Sequence, residues 1–585
     1  MRAPQSVLKG AALLLAGGMC LVPFLLPRHL PPLRTFYDEW LAFALGLAAL
    51  ALVAAAPGST GRRVHTSAAL LALFAITLFA RAFGDQSAYP QSPLVWGLYL
   101  TFASLILVLG QNLATEFGTQ RVCDVLAAFI LAGALANSVC AAIQTIGVPT
   151  SLSDFVSTRA GIRAIGNIGQ ANLYSNYLAL GVASIVYLYA RGRVGMLLAF
   201  SCVVALTASA ALAASRASLL YAASFALLGF FAMRMGKDAT ARRLGIASLV
   251  AAACTFFAQF AIPAGMDAFG YQIEGGLARN ALTTWQGPLP DEAANLRLSA
   301  WSLAFKLFQA SPWMGIGPDE FAGAGFAHGL PPELAGKQLW TSPHNAVFHL
   351  LSETGLVGAA LVGAALLVWL NATLREFIRV RDASLWWILA CAGVELLHAL
   401  LEYPLWYAHF LALTALFMGL SATGGIRVPD SVLRAGFGIS ALTGAILLAF
   451  TLGAYQKFDL ASPVAAGRSL AGDLEIARDR ASLAELGGSL LAPRAETWLF
   501  QSFPLDTTDL AEKLAVGQRV MRVWPSREVA GRQSVFLALA GREDEAKALL
   551  AASLKTFPAA RRTFTEMIES APQRAREVLS PVLEK

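Results

Sequence analysis

The sequence predicts an all-α polytopic membrane protein, and three observations carry that prediction. Of its 585 residues 56% are hydrophobic and 14% charged, with a mean hydropathy of +0.58, which is more apolar side chain than a soluble core absorbs. The apolar residues gather into about thirteen runs of membrane-spanning length. The basic residues behind the formal net charge of +7 lie scattered in short connections between these runs. That pattern orients membrane helices, and it forms no stripe for nucleic acid.

The runs fall near 7–26, 40–56, 68–83, 93–113, 122–146, 171–190, 194–213, 218–233, 244–262, 345–370, 385–401, 405–422 and 435–455. The first reads as a retained helix, because no small-residue cleavage site leads from it into a soluble domain. Arg62 and Arg63, Arg121, Arg191 and Arg193, then Arg234, Lys237, Arg242 and Arg243, then Arg375, Arg379 and Arg381, and finally Arg427 and Arg434 fall on alternate connections. These mark the cytoplasmic side, together with Arg2 and Lys9 at the N-terminus. The loop at about 263–343 and the tail after Tyr455 are then expected in the periplasm. Domains are expected at 1–456, the transmembrane part with its large periplasmic loop, and at 457–585. Cys20, Cys123, Cys140, Cys202, Cys254 and Cys391 all lie in or beside apolar runs, which supports neither a disulfide framework nor a thiolate metal site.

Unusual polar residues collect on the expected periplasmic side. The connection at about 147–170 carries Arg159 and Arg163, then Gly166-Asn167-Ile168-Gly169-Gln170-Ala171-Asn172, a glycine and amide cluster opening a helix. Backbone N–H groups and a helix dipole there favour an anion. In Ser215-Arg216-Ala217-Ser218 an arginine sits between two apolar runs with almost no loop around it, at the membrane boundary. Taken alone such an arginine simply snorkels. The long loop adds Arg279 and Arg297, the latter opening an amphipathic pattern in which Trp301, Phe305 and Phe308 mark a helix lying on the membrane or the bundle, before a break at Ser311-Pro312-Trp313-Met314-Gly315-Ile316-Gly317-Pro318.

The next run opens at Ser342-Pro343-His344-Asn345, where Pro343 keeps Ser342 extended and places His344 at the mouth of a membrane helix. Glu353 lies about two and a half turns further in, where a carboxylate needs a partner or a wet cavity. The spacing alone fits a reaction centre or a helix cap with a packing contact. Glu395, His398 and Glu402 share one helical face and lead into Glu402-Tyr403-Pro404-Leu405-Trp406-Tyr407. For zinc the histidines His344 and His349 are five apart without an intervening glutamate, and Glu395-x-x-His398 is half of a di-metal motif. Transfer chemistry on an anionic lipid matches better, with arginines holding phosphate and a histidine or carboxylate handling the proton.

These stretches, in this order, resemble the O-antigen ligase and polymerase (Wzy_C) superfamily, and within it the pilin-type, PglL-like protein O-oligosaccharyltransferases. The resemblance covers the membrane region and, more loosely, the tail. It implies a metal-independent, inverting glycosyltransferase with no cofactor. Such an enzyme moves a glycan from undecaprenyl pyrophosphate to Ser or Thr hydroxyls of pilin or other periplasmic proteins, at the periplasmic face of a bacterial inner membrane. By the resemblance His344 is the residue required for transfer, and Gln170 and Tyr403 or Tyr407 match implicated positions; Asn172 and Asn345 lie inside the matching motifs as substrate contacts. Arg163, Arg216 and Arg297 are expected on the pyrophosphate. His344 is either the base or a pyrophosphate ligand, with Glu353 or Glu402 as base in the second case. O-antigen ligation to lipid A core and glycan polymerisation need the same donor and stay open. A transporter also has many spans, but no interrupted pair of spans in matching halves is present.

The tail differs in kind. Gly541-Arg542-Glu543-Asp544-Glu545-Ala546 leads into a short helix ending at Pro558, with Pro525 about one 34-residue period earlier, the spacing of tetratricopeptide-like (TPR) hairpins. Such a tail either holds the acceptor or caps the enzyme without taking part in transfer.

Overall fold

The structure is a computed structural model that describes all residues except 1–2, 57–61, 85–86, 148–149, 159–160, 236–237, 271–291, 332, 337–338, 462–472 and 585. Arg2, Arg159, Lys237 and Arg279 of the sequence reading therefore lie outside the described residues. The chain is helical nearly throughout: α1 (Ala3–Met19), α2 (Phe36–Ala55), α3 (Thr66–Ala82), α4 (Gln91–Phe117), α5 (Thr119–Ile146), α6 (Ala171–Ala190), α7 (Met196–Leu212), α8 (Ala217–Met235), α9 (Ala239–Ala268), α10 (Glu292–Ala310), α11 (Phe321–His328), α12 (Ala346–Val380), α13 (Ala383–Ala399), α14 (Ala408–Ser421) and α15 (Asp430–Ala461). The tail adds α16 (Asp473–Glu485), α17 (Ala492–Ser502), α18 (Leu510–Val523), α19 (Arg527–Leu539), α20 (Glu543–Thr556), α21 (Arg561–Glu569) and α22 (Gln573–Leu583).

Among the described residues nine helices are long and apolar enough to cross a membrane, namely α1 with its extension to Leu25, α2, α4, α5, α6, α8, α9, α12 and α15. The protein is a multi-pass membrane protein. The other four expected runs are helical as α3, α7, α13 and α14 but have only 17, 17, 17 and 14 residues, fewer than the roughly 20 that an upright crossing takes.

The residues form two compact units. The first comprises Met1–Ala72, Tyr99–Leu289 and Gly363–Leu448. Its centre is α6, buried at every position but Asn172 and Tyr189, which explains why a membrane helix carries so many polar tips. Each tip finds a partner from another helix, as burial demands: Tyr174 Oη meets Ser209 Oγ at 2.5 Å, Tyr177 donates to Cys20 O at 2.7 Å, Ser175 meets Ser218 at 2.8 Å and Trp387 donates to Ser184 at 3.1 Å. Where α4 crosses α14 no side chain fits between the backbones, since a Cβ on Gly419 would stand 2.1 Å from Leu107 O. A two-stranded antiparallel ladder pairs Arg62–Val64 (β1) with Ile426–Val428 (β2) and so brings those two connections to one end of the unit.

The second unit comprises Leu73–Leu98, Pro290–Val362 and Ala449–Lys585, so the loop around α10 and α11 and the tail belong to one body. The tail is a run of short helices, each packed on the next through α19, with Phe500, Val520, Val529, Phe536, Leu550, Phe564 and Leu579 in one core. The helix from Glu543 and the break at Pro558 fall where the sequence put them. In α10 the buried stripe is Ala300, Leu303, Ala304 and Leu307. Of the aromatic residues that marked this helix, Phe305 is exposed while Trp301 and Phe308 are half-buried.

The apolar run after His344 is broken inside. Gly355 has φ 63° and ψ −162° and interrupts α12, leaving carbonyls before it and N–H groups after it without helical partners. The segment at 311–318 supplies them: Ile316 N donates to Ser352 O (2.9 Å) and Gly317 N to Glu353 O (3.1 Å), while Leu356 N donates to Pro312 O (2.8 Å) and Val357 N to Trp313 O (3.1 Å). The Ser-Pro-Trp-Met-Gly-Ile-Gly-Pro motif is therefore the backbone complement of a broken helix. A Cβ on Gly315 would lie 2.3 Å from Glu353 C, and one on Gly355 2.4 Å from Trp313 C, so glycine is required on both sides.

Candidate active site

In the first unit the polar residues converge where α6 begins. Arg163 donates from Nε to Ala213 O (2.7 Å) and from Nη2 to Ala214 O (3.4 Å), docking its loop on the turn that follows α7. The same Nη2 donates to Asn172 Oδ1 (2.9 Å), and Asn172 Nδ2 donates to Glu402 Oε1 (2.9 Å). Arg163, Asn172 and Glu402 thus form one charge-assisted chain. Arg216 stands exposed two residues after Ala214, whose φ of 47° makes the sharp turn between α7 and α8. Gln170 caps α6, its Oε1 accepting from Leu173 N at 2.9 Å. The rings of Tyr403 and Tyr407 lie 5.9 Å apart. Burial, then the neighbouring Glu402 carboxylate, raises the Tyr403 phenol above its ordinary pKa and keeps it a proton donor.

Deeper in the same unit, Glu395 and His398 lie on α13, whereas Glu402 falls in the turn after Ala399, so the helical face expected for all three stops at His398; each meets a different group. Asn176 Nδ2 approaches Glu395 Oε2 at 3.5 Å, Tyr221 Oη bonds His398 Nδ1, and Glu402 takes Asn172.

The glycine and amide cluster is held from within at its first residues: Gln144 Oε1 accepts from Ile165 N (3.2 Å) and Gly166 N (3.1 Å), and Asn137 Oδ1 accepts from Asn167 N (2.8 Å), so these N–H groups do not face an anion as expected. Asn167 in turn holds Leu25 O and Phe155 O with its amide. These buried donors are satisfied internally and fix the loop that carries Arg163 and Gln170.

In the second unit the turn before α12 is tightly held. Asn345 is the helix cap, its Oδ1 accepting from Val347 N (3.0 Å) and Phe348 N (3.2 Å). His344 precedes it in the left-handed region, φ 51°, with Trp340 edge-on at 5.4 Å. From α10, Trp301 donates to Pro343 O (3.0 Å) and stacks on Phe348 at 5.5 Å. Arg297, one turn before Trp301, shares its face, so α10 brings an arginine toward the turn that bears the histidine.

Glu353 is fully buried, and both its oxygens are engaged. Oε1 accepts from Phe321 N (3.1 Å), and Oε2 accepts from Asp319 N (3.0 Å) and lies 3.3 Å from His349 Nε2. This carboxylate sits on the N-terminus of α11, where a helix dipole and open N–H groups welcome it.

Two family descriptions match the chain: "O-Antigen ligase" over residues 196–363 and "Virulence factor membrane-bound polymerase, C-terminal" over 386–570. A relative, the "General O-oligosaccharyltransferase" of Acinetobacter baylyi, is 25% identical over 433 residues, covering 73% of this chain and 72% of its own length. The chain is thus similar to the O-antigen ligase superfamily, and within it to PglL-like oligosaccharyltransferases. The ligase match spans Arg216, Arg297, His344, Asn345 and Glu353, and the polymerase match spans Glu402, Tyr403 and Tyr407 together with most of the tail.

Several residues at these sites escaped the sequence reading. His29 sits between Asn167 O (2.8 Å) and Asp38 Oδ2 (3.4 Å), and Arg28 lies over the Tyr37 ring at 5.4 Å. Glu39 accepts from Tyr99 Oη (2.5 Å), Thr35 Oγ1 (2.7 Å) and Ala408 N (3.1 Å), anchoring the start of α14 next to Tyr407. In the second unit Arg81 donates to Met314 O and to Gly315 O (3.1 Å), bracing the segment that complements the helix break. A signal existed: Arg28, His29 and Arg34 fall on a connection, and Arg81 in the last turn of α3, at ends that the alternation of basic residues assigns to the side poor in them.

Proposed function

We propose that this protein is an inner-membrane O-oligosaccharyltransferase that transfers a glycan from a polyprenyl-pyrophosphate donor to a Ser or Thr hydroxyl of a periplasmic protein such as a pilin. The single observation that carries the reading is the relative of that activity, aligned over nearly three quarters of both chains. Arg163, Arg216 and Arg297 hold the pyrophosphate, stabilising the charge left as the sugar–phosphate bond breaks. His344 accepts the proton of the attacking hydroxyl, so the anomeric carbon inverts in one step without a metal. His344 is half-buried in a left-handed turn at the mouth of α12, held beside Trp340, which fixes where its ring meets an incoming acceptor. Asn172 orients Glu402 beside Tyr403 and Tyr407 on the donor side, with Gln170 and Asn345 shaping the two turns. Glu353, a base only in the alternative in which His344 binds the pyrophosphate, takes a positioning role, because its oxygens hold the start of α11. The tail is a periplasmic, tetratricopeptide-like domain.

Ligation to lipid A core or polymerisation of repeats is the second reading, favoured by the descriptions of the two matching families. Mass spectrometry of periplasmic proteins and of lipid A from cells with and without the gene separates the readings. Gene-dependent glycan on Ser or Thr supports the proposal. Gene-dependent glycan on lipid A core or in longer chains only overturns it.

A further inference from the structure

In the second unit one short helix, α11, meets both α12, the helix that follows His344, and the tail, and each contact is made without slack. On one side Glu353 of α12 accepts from the N–H groups of Asp319 and Phe321 at the start of α11. On the other side a Cβ on Gly323 of α11 would lie 2.0 Å from Arg522 O and 2.6 Å from Arg522 Cα, so the helix lies directly on the backbone at the end of α18. The ion pair of Arg522 Nη2 with buried Glu320 Oε2 (2.6 Å) locks that contact, and Glu320 Oε1 accepts from Ala88 N at 3.2 Å. Two further ties bind α11 and the following loop to the tail: Phe326 of α11 stacks with Phe557 at 6.4 Å, and Gly336 N donates to Thr556 O (2.8 Å).

We propose that the tail positions His344 for transfer, through Arg522, Glu320, α11 and Glu353, and that Arg522 and Glu320 are positioning residues of the reaction. This rests on the role given to His344 under Proposed function. Backbone contacts with no side chain between them have no room to absorb displacement, so a shift of α18 moves α11 and with it Glu353, which lies on α12 between His344 and the break at Gly355. A displacement of about 1 Å at a reacting group costs on the order of a hundredfold in rate. A tail that only captured acceptor protein needs none of these contacts.

The test compares full-length wild type with Arg522→Ala, Arg522→Lys and Glu320→Gln, using lipid-linked glycan and two acceptors, a short Ser-containing peptide and an intact protein. The coupling predicts that kcat on the short peptide falls between about tenfold and about a hundredfold in Arg522→Ala and Glu320→Gln, with KM for the peptide within about twofold. Arg522→Lys recovers part of the loss. Amide exchange across 345–354 quickens in Arg522→Ala while the core of α19 to α22 exchanges as in wild type. The proposal is overturned if peptide turnover and exchange at 345–354 are unchanged and only KM for the intact protein rises, which is the signature of an acceptor clamp. If wild type transfers glycan to neither acceptor the functional reading fails, and the exchange measurement alone then decides the coupling.

Discussion

Replacing Gly355 by alanine tests whether the break in α12 is built into the fold. At φ 63° and ψ −162° only glycine is at ease, and a non-glycine residue there is strained by about 1–3 kcal/mol. The new methyl would also stand 2.4 Å from Trp313 C and O and 2.6 Å from Gly315 N, atoms of backbone that cannot rotate away. Relieving the clash separates the strands of chain joined by the four hydrogen bonds among 312–317 and 352–357, each worth about 1 kcal/mol net. Strain and lost bonds together come to roughly 5–7 kcal/mol, comparable with the whole stability of many domains. Thermal unfolding of purified protein in detergent, followed by tryptophan fluorescence, is the assay. Gly355→Ala should be recovered poorly or melt far below wild type. The control is Gly363→Ala in the same helix, where no atom lies within 4 Å of the added Cβ, and helix propensity predicts a gain of about 0.5–1 kcal/mol. Equal melting temperatures for Gly355→Ala and wild type would refute the argument, because the motif at 311–318 would then not depend on the crossing glycines.

Other outcomes follow from the site. Arg216→Ala should lose affinity for lipid-linked glycan as well as rate, whereas His344→Ala should bind donor normally and turn over about a hundredfold or more slowly; equal losses of donor affinity would move His344 onto the pyrophosphate. Transfer should persist in excess chelator, and its restoration by added magnesium or manganese after loss would bring Glu395, His398 and Glu402 back as ligands. Gln144→Leu leaves the N–H groups of Ile165 and Gly166 buried without acceptors, at about 1–3 kcal/mol each, and should lower the melting temperature; an unchanged melt would mean that water replaces the amide. A reporter fused beyond α15 should be active only as a periplasmic fusion, and cytoplasmic activity would reverse the assigned faces.

The sequence by itself determined the membrane class, the helical runs, the placing of Glu395 and His398 on one helix and the order of motifs that carries the likeness to the O-antigen ligase superfamily. These are local properties: hydropathy, period and spacing are written residue by residue. It also told that Ser-Pro-Trp-Met-Gly-Ile-Gly-Pro breaks a helix and that Glu353 needs a partner. Only the tertiary structure decided that these two facts are one, since the carbonyls freed at Gly355 and the donors that meet them lie about forty residues apart. The same holds for Gly166 and Asn167 in the amide cluster, whose N–H groups looked ready for an anion but donate to Gln144 and Asn137 of another helix. Hydrogen-bond partners distant in the chain leave no periodic trace, because each pairing is fixed by where two helices happen to cross. The union of α11 with the tail has the same origin, a glycine at 323 whose reason is the backbone of Arg522.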